Sequence, residues 1–273
     1  MEKFKLNNGI EIPAIGLGVF RIEDAKLAQA TVESALSVGY RHIDTAMIYE
    51  NEEAVGKAIK NSGIPRNEIF VTTKLWNDDQ RSGKVDEAID ASLKKLGLDY
   101  VDLYLVHWPV KGTYVDVWRK MEKVYKDGKS KSIGVSNYHE HHLDDLIKEA
   151  EIIPAVNQIE CYPYLTQEPL IEYCIEKGIR PEAWGPLGAG KTDVLVNPVI
   201  VEIADKYGKT PAQVVLRWNL DRGVVVIPKS SHKERQLENL SITDFKLTTD
   251  EITKISSLNK NKRLGSDPDN FNF

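Results

Sequence analysis

The stretch Val224-Val225-Val226-Ile227-Pro228-Lys229-Ser230-Ser231-His232-Lys233-Glu234-Arg235 joins two kinds of chemistry. An unbroken β-branched run stops at a proline, and bases and hydroxyls crowd the positions after it. A run with no polar alternation is the pattern of a strand covered on both faces, as in a parallel sheet. Parallel strands are joined by helical crossovers. The stretch therefore predicts short apolar runs alternating with helix-length segments along the rest of the chain.

The runs are Ala14–Gly18, His42–Thr45, Ile69–Lys74, Val101–His107, Ser132–Ser136, Ala155–Glu160, Arg180–Trp184 and Val224–Pro228. Between them, Ala25–Val38 and Val85–Leu96 carry apolar residues at helical spacing and stop at Gly39 and Gly97, the residue type that closes helices in a left-handed conformation. Leu143–Ala150, Glu168–Lys177 and Pro211–Leu220 read as further helices, with Pro211 suited to a first helical position. Ahead of these units, Phe4, Leu6, Ile10 and Ile12 alternate about Asn7-Asn8-Gly9, the signature of a β-hairpin.

Eight strand–helix units in 273 residues, with no break in composition, predict an α/β chain: a single (β/α)8 TIM barrel over residues 1–273, with an N-terminal β-hairpin and two extra helices. The competing architecture is an open doubly wound sheet, which calls for a G-x-G-x-x-G turn after an early strand. Gly16–Arg21 supplies only the first two glycines, and Gly185–Gly190 has its glycines in the wrong order. No P-loop is present either.

Lys plus Arg is 36 and Asp plus Glu is 41, a formal charge of −5. That balance argues against broad binding to nucleic acid or anionic membrane, so any anion must be caught by a local basic site. No apolar run approaches a membrane span. Cys161 and Cys174 make neither a disulfide framework nor a metal-ligand spacing and read as inert, reduced thiols. With no signal-length apolar core in Met1–Pro13, the expected location is cytoplasmic.

In a barrel, function gathers where strands end at the C-terminal face. The polar residues that end the runs are Asp44 with Tyr49 just beyond, Lys74, His107, Ser136 with Asn137, Gln158, Trp184 and Lys229. Four of these share a physical logic. A phenol has a reference pKa of about 10 and is a poor acid alone, whereas an ammonium beside it favours the phenolate. A carboxylate holds that ammonium charged, and a histidine opposite can orient a carbonyl. Asp44, Tyr49, Lys74 and His107 thus suit general acid catalysis at a developing alkoxide, worth on the order of 10²–10⁴ in rate. The carbonyl carbon then needs a nucleophile. No Cys–His pair or G-x-S-x-G elbow supplies one, which points to hydride from a nicotinamide cofactor.

Taken singly, Asp44 reads as a cap or ion-pair partner, Tyr49 as packing and His107 as a structural histidine. Only their joint placement carries the catalytic reading. His42 reads as structural. His139, His141 and His142 invite a metal reading, but Leu143 stands where H-E-x-x-H needs its second histidine. A solvated helix start and no metal are the expectation.

The segments "YRHIDTAMIY", "VTTKLW", "LYLVHWP", "IGVSN", "VNQIE", "AWGPLG" and "IPKSSHKERQLEN" resemble the aldo-keto reductase family, nearest its bacterial diketogluconate-reductase and methylglyoxal-reductase branch. Their order and spacing extend the resemblance over essentially the whole chain. It implies a monomeric, NADPH-dependent reductase of small-molecule aldehydes and ketones. By resemblance, Tyr49 is the proton donor, tuned by Lys74 and Asp44, and His107 orients the carbonyl. Ser136, Asn137 and Gln158 hydrogen-bond the nicotinamide carboxamide, and Trp184 stacks on the ring. The loop from Gly185 through Leu187 to Gly190 covers the pyrophosphate. Lys229, Ser230, Ser231, His232 and Arg235 take the 2′-phosphate, with Glu238 and Asn239 near the adenine. Phe20, Trp76 and Trp108 wall the substrate, and Phe271 and Phe273 of a tail that otherwise reads as disordered are candidates to cover it.

Two other functions fit a barrel: a non-catalytic NADP-binding sensor, and a phosphate-binding isomerase that would not need the Tyr–Lys pair. His232 departs from the family, where arginine is frequent. A neutral imidazole offers less charge to a phosphate, so the reading is NADPH preference with tolerance of NADH, the preference growing at lower pH.

Overall fold

The computed structural model describes residues 2–273. The N-terminal hairpin pairs β1 (Lys3–Lys5) with β2 (Glu11–Pro13) antiparallel, Phe4 opposite Ile12. Gly9 takes a φ of 89° in its turn, a left-handed value open to a residue without a Cβ.

Eight parallel strands follow: β3 (Leu17–Gly18), β4 (His42–Asp44), β5 (Phe70–Leu75), β6 (Leu103–Val106), β7 (Ile133–Ser136), β8 (Val156–Glu160), β9 (Arg180–Trp184) and β10 (Val225–Val226). Each pairs with the next in chain order. The ring closes where Ile15 bridges Val226: Gly16 N–H donates to Val226 O (2.8 Å) and Val226 N–H to Ala14 O (3.0 Å). Seven of the expected runs contain their strand whole, and β5 runs one residue past the expected Ile69–Lys74, to Leu75.

The helices are α1 (Ala25–Val38), α2 (Glu52–Asn61), α3 (Asn77–Ser82), α4 (Val85–Leu96), α5 (Tyr114–Lys126), α6 (Glu140–Glu149), α7 (Glu168–Glu176), α8 (Pro198–Tyr207), α9 (Pro211–Asp221), α10 (Lys233–Leu240) and α11 (Thr249–Ser256). The two long additions to the barrel ring are α8 and α11, and α3 is a shorter one. Local signals set the ends. Asp24 accepts from Leu27 N–H (2.7 Å) at the start of α1, and Gly39 closes it at φ 113°. Thr210 and Gln213 form a capping box on α9. Helix α6 starts earlier than its apolar pattern, at Glu140, because its first turn is polar.

Side chains alternate in and out of the barrel. Phe70, Leu103, Leu105, Val156 and Val225 form an apolar floor closed by Leu6 and Ile12 of the hairpin. Deleting such a side chain, Leu105→Ala for example, costs about 2–5 kcal/mol. One layer up sits His42, fully buried, its Nε2 3.3 Å from Thr72 Oγ1. Gly16 makes room for it, since a Cβ there would stand 2.6 Å from His42 Nδ1. Burial drives His42 down to about 3, so it is neutral, as a structural residue should be. Above this layer the interior turns polar.

Candidate active site

At the C-terminal mouth, Lys74 Nζ donates to Asp44 Oδ1 (2.7 Å), Thr45 O (2.8 Å) and Tyr49 Oη (3.4 Å). Lys74 and Asp44 are buried, and Tyr49 is partly exposed. Tyr49 lies on a single 3-10 turn, Met47–Tyr49, that ends at Glu50 in a left-handed conformation (φ 56°). Asn51 pins this turn: its Oδ1 accepts from Thr45 Oγ1 (2.7 Å) and its Nδ2 donates to Val19 O (3.0 Å).

Burial works against the Lys74 charge, but Asp44, Tyr49 and Glu182 more than offset it, and the pKa lies above the ordinary lysine value. The sequence expectation was that Lys74 lowers the Tyr49 pKa. Lys74 does pull it down, yet burial, with help from Asp44, outweighs that pull and leaves the phenol above its ordinary value. Tyr49 therefore keeps its proton at neutral pH. Burial and the Lys74 charge hold His107 well below the usual imidazole value, so it is neutral. Its Nδ1 has no hydrogen-bond partner among the described residues, and its ring lies 5.8 Å from that of Tyr49 and 5.2 Å from that of Trp76.

Around this group, most expected polar residues are engaged with one another. Asn137, at φ 65°, donates to His107 O (3.0 Å) and Ser136 Oγ (3.1 Å), and accepts from Trp184 Nε1 (2.9 Å). Ser136 Oγ donates to Gln158 O (2.9 Å). Gln158 does not end its strand, since β8 runs on to Glu160. Its Nε2 donates inward to Asp44 Oδ2 (2.8 Å) and Glu182 Oε1 (2.5 Å), so the amide nitrogen is committed to the protein.

Glu182 escaped the sequence reading. It stands mid-strand in β9, fully buried, and burial followed by the Asp44 charge pushes its carboxyl up to about 8. It is protonated at neutral pH; burial raises the Asp44 carboxyl as well, against the opposing pull of the Lys74 charge and of hydrogen bonds from Lys74 and Gln158. The available signal was an acidic residue inside an otherwise strand-like run, Arg180–Trp184.

The wall expected to meet substrate is aromatic. Phe20, 52% exposed, packs against Tyr49 at 4.9 Å between centroids. Phe273 stacks on Trp76 (5.9 Å, 6° between planes) and meets Trp108 edge-on (5.2 Å), while Phe271 leans on Trp108 (5.2 Å). The tail is thus seated against the mouth. Phe273 O accepts from Asn77 Nδ2 (3.1 Å) and Arg81 Nη2 (2.6 Å), and Glu160 accepts from Leu264 N–H (2.7 Å) and Gly265 N–H (3.0 Å). Gly265 presses on Trp184, where a Cβ would come within 2.6 Å of the indole. Glu160, Asn77 and Arg81 were also missed, because their partners lie over a hundred residues away.

On the opposite rim, β10 leads to α10, whose N-cap His232 makes no side-chain cap hydrogen bond. The first-turn N–H groups are left without side-chain partners, and Lys229, His232, Lys233 and Arg235 stand exposed around them. Ser230 is buried and organises the turn: its Oγ accepts from His232 N–H (3.1 Å) and donates to His232 O (3.2 Å). Ser231 is half-buried, Asn239 buried, and Glu238 accepts from Thr210 Oγ1 (2.6 Å). Helix-start N–H groups beside bases are a donor set that can hold an anion, and despite the exposed Glu234 in the same turn these residues fit the phosphate of a dinucleotide. Between the two rims, the Gly185–Gly190 loop is ordered by Gly188 N–H donating to Gly185 O (2.9 Å), with Leu187 half-buried.

The three histidines at the start of α6 are not simply solvated. His139, His141 and His142 converge with Asp269 of the tail.

The model of the Aldo/keto reductase family matches residues 14–260. The chain is 52% identical to glyoxal reductase of Bacillus subtilis (strain 168) over 100% of its own length and 98% of that protein's. It is 49% identical to methylglyoxal reductase DkgA of Escherichia coli (strain K12), covering 98% and 97%. Among solved structures, an aldo-keto reductase from a Medee basin deep-sea metagenome library superposes with a TM-score of 0.96 at 48% identity, over 99% of this chain and 100% of that one. No helix among the described residues is long and apolar enough to cross a membrane. The chain belongs to the aldo/keto reductase family, and so to the oxidoreductases that act on carbonyl groups with a nicotinamide cofactor.

Proposed function

We propose that the chain reduces small aldehydes and ketones, 2-oxoaldehydes such as methylglyoxal among them, using NADPH, with Tyr49 as the proton donor. The observation that carries this reading is the buried relay Asp44–Lys74–Tyr49 opening beside a neutral His107 at the barrel mouth. The names of the glyoxal and methylglyoxal reductases it resembles support the substrate class.

The bound nicotinamide supplies the hydride. The chain's residues do the rest. A neutral His107 retains an N–H to offer a carbonyl oxygen and so fixes its direction. Tyr49 holds its proton until negative charge develops on that oxygen, then releases it. The Lys74 ammonium 3.4 Å away stabilises the phenolate left behind. Asp44 keeps Lys74 charged and aimed, while Phe20, Trp76 and Trp108 exclude water and orient the substrate.

On the cofactor side, Lys229, Ser230, Ser231, His232 and Arg235 hold the 2′-phosphate, Arg235 through a guanidinium suited to bidentate contact. Glu238 and Asn239 lie beside the adenine, and Gly185 and Leu187 contribute to the pyrophosphate cover. Ser136, Asn137, Gln158 and Trp184 frame the nicotinamide as a mutually braced set. His232 favours NADPH with tolerance of NADH.

Steady-state NADPH oxidation with methylglyoxal and a panel of aromatic aldehydes tests the reading. Turnover is expected. NADPH binding without turnover on any carbonyl would leave a nicotinamide-binding protein of another kind.

A further inference from the structure

We propose that His139, His141, His142 and Asp269 form a binding site for a divalent transition-metal ion, with Zn²⁺ the best match, and that the ion clasps the C-terminal tail to the start of α6. The four residues come from two segments more than a hundred positions apart, and nothing in the proposed reduction uses them.

The geometry is that of a ligand set. His139 Nδ1 lies 2.9 Å from Asp269 Oδ2, His141 Nε2 3.0 Å from Asp269 Oδ1, and His142 Nε2 3.4 Å from the same oxygen. One donor atom from each residue fits within a mutual separation of 4.8 Å. A tetrahedral zinc ion with bonds of about 2.0–2.1 Å spaces its ligands about 3.3 Å apart. The three contacts to Asp269, one through Oδ2 and two through Oδ1, bracket that spacing, and the remaining pairs lie within 4.8 Å, so they must close by no more than about 1.5 Å. Imidazole with carboxylate is also a donor set that zinc, nickel and copper accept.

The surroundings provide both support and access. Tyr114 and Tyr138 meet the His142 ring edge-on at 5.6 and 5.8 Å, which fixes its plane. His141 and Asp269 are half-open, with side chains 59% and 47% exposed, so an ion can enter from solvent.

Two features oppose a cation. The positive end of α6 points toward the site, and Arg263 Nη2 lies 2.7 Å from His139 Nε2. The Asp269 charge compensates the first. The second is relieved by rotation of Arg263, since Nε2 faces away from the ion and carries the ring proton once Nδ1 is a ligand. Likewise, His142 exchanges its bond from His139 N–H (3.1 Å at Nδ1) for the metal, and that backbone group lies at a helix start within reach of water.

A metal here has a structural consequence. Asp269 precedes Phe271 and Phe273, which lie on Trp108 and Trp76. Filling the site would hold that aromatic cover in place.

The test is titration of the full, untagged chain with ZnCl₂ by calorimetry in a non-chelating buffer, alongside amide hydrogen exchange over residues 264–273. Saturable binding of a single equivalent is expected, with slower exchange in the tail. Asp269→Asn and His141→Ala should each weaken binding about tenfold or more and abolish the zinc effect on exchange. Both must keep the parent's circular dichroism without metal. No saturable zinc binding, or equal binding by Asp269→Asn, overturns the proposal. Binding without slower tail exchange overturns the clasp.

Discussion

Lys74 Nζ and Asp44 Oδ1 stand 2.7 Å apart with their side chains 0% and 3% exposed, an ion pair sealed beneath the barrel mouth. Removing one partner of such a pair leaves a bare charge in the barrel, and Asp44→Asn should cost about 3–5 kcal/mol of stability. The double variant Asp44→Asn/Lys74→Met should recover part of that loss in chemical denaturation while remaining inactive. A double variant no more stable than Asp44→Asn would show that the pair does not set the cost.

Among the described residues, the Tyr49 hydroxyl makes one hydrogen bond, accepting from Lys74 Nζ at 3.4 Å. Tyr49→Phe should therefore leave thermal stability and NADPH binding close to parental. Its kcat should fall on the order of 10²–10⁴-fold if the phenol gives up the proton. Parental turnover in Tyr49→Phe removes it from that role.

Glu182 supplies a pH signature. Its folded carboxyl titrates at about 8 against an ordinary value of 4.5. Between these limits the folded protein holds a proton that the unfolded chain has released, so its contribution to stability falls as pH rises through the window. Glu182→Gln should remove a decline on the order of 3–4 kcal/mol between pH 5 and pH 8. Urea midpoints at pH 5 and pH 8 read the difference, and a parallel pair of pH profiles would exclude a buried neutral Glu182.

Phe273 is held to Trp76 and Trp108 by ring contacts alone on its side-chain end. Aromatic pairs contribute about 0.5–1.5 kcal/mol. Phe273→Ala should raise KM for an aromatic aldehyde roughly two- to tenfold, with kcat and melting temperature little changed. An unaltered KM would place the substrate away from the tail.

His232 caps α10 without a side-chain bond at the proposed phosphate site. His232→Arg adds a fixed charge and a planar fork. The ratio of kcat/KM for NADPH over NADH should rise about tenfold, as one added charged hydrogen bond would give. No change in the ratio would show that position 232 does not meet the phosphate.

The barrel was legible because its signals are local. β-branched runs marked the staves, and Gly39 and Gly97 closed α1 and α4 where the sequence placed them. The start of α6 was read three residues late because apolar periodicity says nothing about a polar first turn. Asp44, Tyr49, Lys74 and His107 could be picked out because reactive side chains ended consecutive runs. Glu182 and Asp269 could not, since each matters only through partners brought to it by folding. The direction of the Tyr49 shift also lay beyond the sequence, because it depends on how far burial outweighs a neighbouring charge.

The aromatic wall draws Phe20 from just after the first barrel strand and Phe273 from the segment beyond α11, with Trp76 and Trp108 between them. Phe20 and Phe273 lie outside the eight staves that hold Lys74, Asp44 and Glu182. Selection can therefore recut the shape of the mouth through two segments outside the staves while the proposed relay residues on the staves stay in place. Substrate range and chemical step become separable traits, free to evolve at different rates within one fold.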